Sequence, residues 1–312
     1  MKKFLGYLRD FIRQDFHWPT YLAIAVYLTA YTIFNYNTKF ETGLITKYYY
    51  SNWLIPVLFV YYWANYLLPC FIYSLFRREW DYWRKPMFWV IGITATFLLA
   101  FDTGFIFHNE WLRDHAPLPL RYWLRKIIYN AASVVTHLLP LYLFYKFVDR
   151  KTENFYGLTT KNVEWRPYLM MLGIMAVLVT VASFHPSFYK FYPLYKHRGE
   201  AVYLEVPQLI TGLAYEIAYG WDFITVEHML RGFLVIGMSQ AMGRRAVLPM
   251  AALYCTYHFG KPAGEAISSI FGGYILGVIA LYSRNVWGGV FVHMGTAWLM
   301  ELAAALQNYF RS

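Results

Sequence analysis

Long apolar runs broken by short charged connectors dominate the chain. Runs at 21–36, 53–76, 87–107, 127–148 and 168–184 predict five helices, most of them near the roughly 20 residues that a bilayer crossing needs. The connectors between them, such as RREWDYWRKP and NEWLRDHAPLPLR, carry charge and proline, which discourage continuous helix across the joints. A polar connector at 185–200 and a half-apolar stretch to Ala218 follow. Further embedded segments are predicted at 221–242, 246–259, 266–282 and 286–306. The run 246–259 is too short to span alone. Gly260, Pro262 and Gly264 after it predict a broken or re-entrant element beside His258, a backbone tolerated at membrane depth only where protein or a hydrated cavity surrounds it.

The N-terminal stretch MKKFLGYLRDFIRQDFHWP puts Phe4, Leu5, Leu8, Phe11 and Ile12 on one helical stripe, away from Lys2, Lys3, Arg9 and Arg13. It predicts a short amphipathic helix on a membrane surface. Arg9, Asp10, Arg13 and Asp15 interrupt any apolar signal core, so no cleaved leader is expected. The fold class is therefore all-α: a polytopic transmembrane bundle of about eight to nine embedded helices. An N-terminal transmembrane region is expected over 1–167 and a functional core over 168–312.

Composition agrees with this. Apolar residues make up 58% of the chain and charged ones 15%, with a mean hydropathy of +0.31. A large soluble domain is excluded on these grounds. The 30 tyrosines exceed what interfacial belts require, so some must line helix contacts. Cys70 and Cys255 lie in apolar runs without metal-type spacing, which gives no disulfide framework and no thiolate zinc site. With the N-terminus in the cytoplasm, basic residues are moderately enriched on the inner connectors. The net charge of +10 then fits anionic lipid, and no nucleic-acid module is present to give it another meaning.

Against this background the ionisable residues within the last apolar runs stand out, because charge at membrane depth is costly and marks function. In TVEHMLRG, Glu227 and Arg231 are four residues apart and can pair on one helical face, with His228 beside them. LYCTYHFGKPAGE carries His258, and GGVFVHMGTAWLME carries His293. Each has a plain alternative, since an intrahelical ion pair can neutralise itself and a lone buried histidine is often a packing residue. Three polar centres within the last four segments make a shared pocket the better account, with Glu227, Arg231, His258 and His293 lining one cavity. Glu265 is read as a helix-start residue, Glu301 as interfacial, and Gly232, Gly272, Gly273, Gly277, Gly288 and Gly289 as close-approach positions between helices.

The motifs resemble those of the CPBP intramembrane proteases, a family that includes bacterial Abi proteins and CAAX-processing proteases of the Rce type. The pattern is EExxxR, then FxxxH, then HxxxN or HxxxD. Here 226–231 keeps the second glutamate and the arginine but places Val226 at the first glutamate; 254–258 reads YxxxH; and His293 is followed by Ala297 in place of asparagine or aspartate. The resemblance covers 221–302. It implies an integral protein of the bacterial inner (plasma) membrane, acting as an endopeptidase on a membrane-associated peptide or protein within the lipid bilayer. In that family the first glutamate activates water with the histidine of FxxxH, while the second glutamate and the arginine support the site.

The chemistry implied is peptide hydrolysis by a carboxylate and histidine that activate water, with a second histidine turned toward the oxyanion. Val226 cannot serve as base, so Glu227 takes that role or another carboxylate enters; Glu216, Asp222 and Glu265 are near in sequence. Thr296 and Asn285 are the nearby substitutes for the missing oxyanion-side asparagine. No cofactor is expected. The alternatives are a zinc centre on Glu227, His258 and His293, although HExxH is absent, and a membrane scaffold of the same fold whose site has decayed.

Overall fold

Helix ends follow the polar punctuation of the sequence. The computed structural model describes residues 2–152, 154–161 and 163–311, and the regular structure among them is helical throughout. The longer helices are α1 (Lys2–Asp15), α2 (Trp18–Thr38), α3 (Phe40–Tyr48), α4 (Leu54–Arg77), α5 (Pro86–Thr103), α6 (Phe107–His115) and α7 (Leu118–Ser133). They continue as α8 (Leu139–Phe147), α9 (Trp165–Ser183), α10 (Gln208–Glu227), α11 (Val247–Tyr257), α12 (Ala263–Ser283) and α13 (Trp287–Arg311). Prolines open several of them, as at α5, where the missing N–H costs nothing in the first turn. Left-handed residues close others: Lys39 after α2, Arg78 after α4 and Arg284 after α12.

Among the described residues six helical segments are long and apolar enough to cross a membrane: Leu54–Arg77, Pro86–His115, Leu118–Phe147, Trp165–Ser183, Ala263–Ser283 and Trp287–Arg311. This is fewer than the eight to nine expected, and three predicted runs account for the difference. Helix α2 has the length but carries Tyr21, Tyr27, Tyr31, Asn35, Tyr36 and Asn37. The run 221–242 holds Asp222, Glu227 and Arg231 and changes helix type within itself, and α11 has only 11 residues. Large apolar side chains remain exposed along the six, for instance Leu169, Ile174, Val177 and Val181 on α9. An apolar surface of that extent belongs in hydrocarbon, and the protein is an integral membrane protein.

Two compact units are interleaved along the chain. The first comprises 1–104, 141–162 and 227–287; the second comprises 105–140, 163–226 and 288–312.

In the first unit α11 packs on α12 and α4, with Ile24, Leu28, Tyr73, Leu248, Ala252, Cys255 and Phe259 in one buried cluster. Gly273 and Gly277 of α12 allow this: a Cβ at either would press on Tyr254 or Met250. Gly272 faces open space and has no such role. The amphipathic α1 lies on α12, where Phe11 meets Tyr274 edge-on at 5.6 Å and Tyr7 stacks on Tyr282 at 5.2 Å. Leu5 and Ile12 stay exposed, so part of the apolar stripe is left for lipid. The helix is pinned at its end, because the buried Asp15 carboxylate accepts from the hydroxyls of Tyr73 (2.7 Å) and Tyr21 (2.9 Å).

In the second unit α9 lies against α13. Trp165 meets Phe291 at 5.7 Å, and Gly288 and Gly295 admit Tyr168 and Leu172. Glu301 differs from its interfacial assignment: it is buried, and both carboxylate oxygens accept from the backbone N–H of Leu194, at 2.9 and 3.0 Å. A buried carboxylate requires such donors, and the 194 turn supplies one.

Candidate functional site

Helix α10 ends at Glu227, and the backbone continues as a π-helix over His228–Gly237, every residue of which is buried. Such widening is rare and recurs at functional sites. A single left-handed turn, Asn154–Gly157, is packed against it with φ of 57°, 43°, 54° and 83°. Three non-glycine residues in that region are strained, and the neighbours that hold them are visible. The Phe155 carbonyl bonds His228 Nε2 at 2.9 Å, and the Tyr156 carbonyl fills the place where a Cβ on Gly232 would sit, 2.7 Å away. His228 is thereby a brace for this turn.

The pairing of Glu227 with Arg231 is present: Oε1 and Nη1 stand 2.9 Å apart, with both side chains essentially sealed from solvent. The Arg231 guanidinium lies over the Tyr254 ring at 4.2 Å, and the Tyr254 ring meets His258 at 4.4 Å. These contacts bring Glu227, Arg231, Tyr254 and His258 together within the first unit. His258 ends α11 and is 5% exposed. Its Nδ1 lies 2.9 Å from the Tyr254 carbonyl. A carbonyl only accepts, so Nδ1 carries the proton in this bond and the neutral ring keeps its lone pair on Nε2.

His293 belongs to the second unit. There it ends a ladder of rings: Tyr122 to Tyr195 at 6.1 Å, Tyr195 to Tyr215 at 4.8 Å, Tyr215 to Tyr219 at 5.7 Å, Tyr219 to Phe223 at 5.0 Å and Phe223 to His293 at 4.5 Å. Ala297 is buried in the same cluster, so the position where the family pattern has asparagine is used for packing. Arg198 covers the far end, 4.1 Å above Tyr122.

Glu265, Asp222, Thr296 and Asn285 have partners of their own, whereas Glu216 is half-buried and its Oε2 accepts no hydrogen bond among the described residues. Glu265 sits in the first turn of α12 and pairs with Lys261 Nζ at 2.8 Å. Glu216 and Asp222 lie in the second unit, where an Asp222 oxygen accepts from Thr225 at 3.3 Å. Thr296 donates to the Val292 carbonyl in its own helix, and Asn285 ties the 159 turn to the start of α13. Among the described residues no group of three His, Cys, Asp or Glu side chains is arranged to hold a metal ion. One contributor was missed by sequence reasoning: Tyr254 was visible in YxxxH only as a variant of phenylalanine.

Residues 221–299 match the family model of type II CAAX prenyl endopeptidases, Rce1-like. No curated protein and no solved structure matches the chain. The matched stretch holds Glu227, Arg231, Tyr254, His258 and His293, so the resemblance read from the motifs is upheld there. At the level of class, this is a membrane protein with a segment similar to the type II CAAX prenyl endopeptidases. The residues before 221 lie outside the match.

Proposed function

We propose that the protein is an intramembrane endopeptidase, hydrolysing a peptide bond of a membrane-associated protein or peptide with water activated by a carboxylate and His258. The observation that carries this reading is the run of contacts Glu227–Arg231–Tyr254–His258 inside the Rce1-like segment. His258 offers Nε2 toward a water, and protonated it stabilises the charge that develops. Glu227 is engaged by Arg231, which matches the supporting glutamate and arginine of the family pattern. His293 is assigned the oxyanion side by the same resemblance. The mechanism is metal-free, and the protein sits in a bacterial inner membrane with its N-terminus in the cytoplasm, consistent with its basic inner connectors.

The test is cleavage of an internally quenched, prenylated CAAX-type peptide by the purified protein in liposomes, with and without chelator. Cleavage that persists under chelation and is lost in His258→Ala supports the reading. Loss on chelation with recovery by zinc would replace it with a metalloprotease on Glu227, His258 and His293. The packing of Ala297 favours a second reading, a decayed scaffold. It predicts no cleavage by the parent and a gain on Val226→Glu.

A further inference from the structure

The family pattern places a water-activating carboxylate where this chain has Val226. Within the first unit a different carboxylate is seated beside the segment that carries His258. Glu41, in the first turn of α3, is 7% exposed. Its Oε2 and Oε1 lie 3.3 and 3.6 Å from where a Cβ on Gly260 would stand, so the carboxylate rests on the backbone two residues beyond His258. A side chain at 260 would crowd it.

The seat is fixed from several sides. Asn35 Oδ1 accepts from the Glu41 N–H at 2.9 Å, and Asn35 Nδ2 donates to the Phe259 carbonyl at 3.4 Å. Tyr36 donates to the Lys261 carbonyl at 2.7 Å and Tyr61 to the Thr256 carbonyl at 3.3 Å. The turn after α11 is thus clamped onto α2, α3 and α4. The Glu41 carboxylate receives the Thr42 hydroxyl at 3.3 Å, and among the described residues no cation pairs with it. Structural carboxylates this deep ordinarily have a cation or several donors, as Asp15 and Glu227 do here. Burial raises its proton affinity, the direction that suits a general base working near neutral pH.

A second observation points to a ligand. An apolar cleft of about 630 Å³ lies between α2, α3 and α4. Phe40 and Leu44, which bracket Glu41 on α3, line it together with Tyr31 and Tyr61, which contact the 256–259 turn. Apolar residues of a peptide can therefore lie along the face of α3 formed by Phe40 and Leu44 and against the tyrosines that hold the turn ending α11, the turn on which Glu41 rests.

We infer that Glu41 supplies the water-activating carboxylate that the motif lacks at Val226. This rests on the peptidase reading above. In the step, the carboxylate takes a proton from water while the water oxygen bonds to the peptide carbonyl carbon. On collapse the C–N bond breaks, and the same proton passes from Glu41 to the leaving nitrogen. Glu227 stays paired with Arg231 throughout.

The experiment uses the full chain in liposomes with the quenched prenylated peptide. Glu41→Gln is expected to lower kcat by about 100-fold or more, with KM and thermal unfolding little changed. Glu41→Ala is expected to recover turnover in added formate, which supplies a carboxylate to the vacated seat. A merely structural residue gives no such rescue. A parent that cleaves while Glu41→Gln cleaves within threefold of it overturns the inference and leaves the peptidase reading standing. Loss of turnover in Glu41→Ala without formate rescue also overturns it. A parent that cleaves nothing overturns both.

Discussion

The guanidinium carbon of Arg231 stands 4.2 Å from the centroid of the Tyr254 ring. The ring covers one face of a cation that is 1% exposed. A desolvated cation over an aromatic face is stabilised by about 2 kcal/mol. Tyr254→Phe keeps the ring and supplies the residue of the FxxxH pattern but removes the hydroxyl that hydrogen-bonds with Arg231, so its unfolding temperature in detergent should fall by less than that of Tyr254→Leu. Tyr254→Leu fills much of the volume without the quadrupole and should lower stability by about 2 kcal/mol. Equal stability of the two variants would show that the ring face contributes only bulk.

That contact illustrates what was legible in the sequence. The helical spacing of Glu227 and Arg231 dictates their pairing, and the apolar runs locate the six spanning segments, because both follow from periodicity and length. The π-helical turn over 228–237 does not follow from them. It depends on Tyr156 reaching Gly232 from a left-handed turn more than seventy positions upstream. The seat of Glu41 against Gly260 is equally tertiary, since Phe40 and Thr42 around it read as an ordinary connector. Glu301 misled for the same reason: its partner, the N–H of Leu194, comes from a distant turn.

Gly288 offers a test of the packing in the second unit. A Cβ there would fall 1.8 Å from Tyr168 Cζ, well inside contact distance, so the ring must leave its place. Helix association in lipid depends on close fit, because lipid tails are as apolar as the side chains. Gly288→Ala should destabilise by about 3 kcal/mol, at the upper end of overpacking effects. Tyr168→Leu in the same chain should recover much of this. A single alanine variant that unfolds at the parent's temperature would contradict the contact.

Glu200 predicts a pH dependence. Burial by itself pushes its carboxyl up, but the Tyr195 hydroxyl, the Arg198 N–H at 2.7 Å and the His197 ring at 2.8 Å outweigh burial and hold it at about 2. An unfolded glutamate titrates near 4.3, so the folded state gains from the ionised form. That contribution is fully present above about pH 4.5 and is lost as pH falls toward 2. Unfolding temperatures should therefore drop between pH 4.5 and 2.5 in the parent. In Glu200→Gln the protein starts less stable and the drop should be shallower. An identical slope in the two proteins would show that Glu200 does not set it.

The last prediction separates support from catalysis at the Glu227–Arg231 pair. Removing one partner of a buried ion pair leaves the other charge stranded, which costs about 3–5 kcal/mol, whereas an apolar replacement of both is often neutral. Glu227→Gln and Arg231→Met should each lower the unfolding temperature sharply. The combination Glu227→Leu with Arg231→Met removes both charges and keeps similar volume, so it should regain most of the stability. If the pair only supports the site, cleavage of the quenched peptide should return with the fold, to within about tenfold of the parent. A base cannot be replaced by leucine. A double variant that is as stable as the parent yet cleaves nothing would identify Glu227 as the residue that takes the proton from water, and would assign Arg231 to holding it in place.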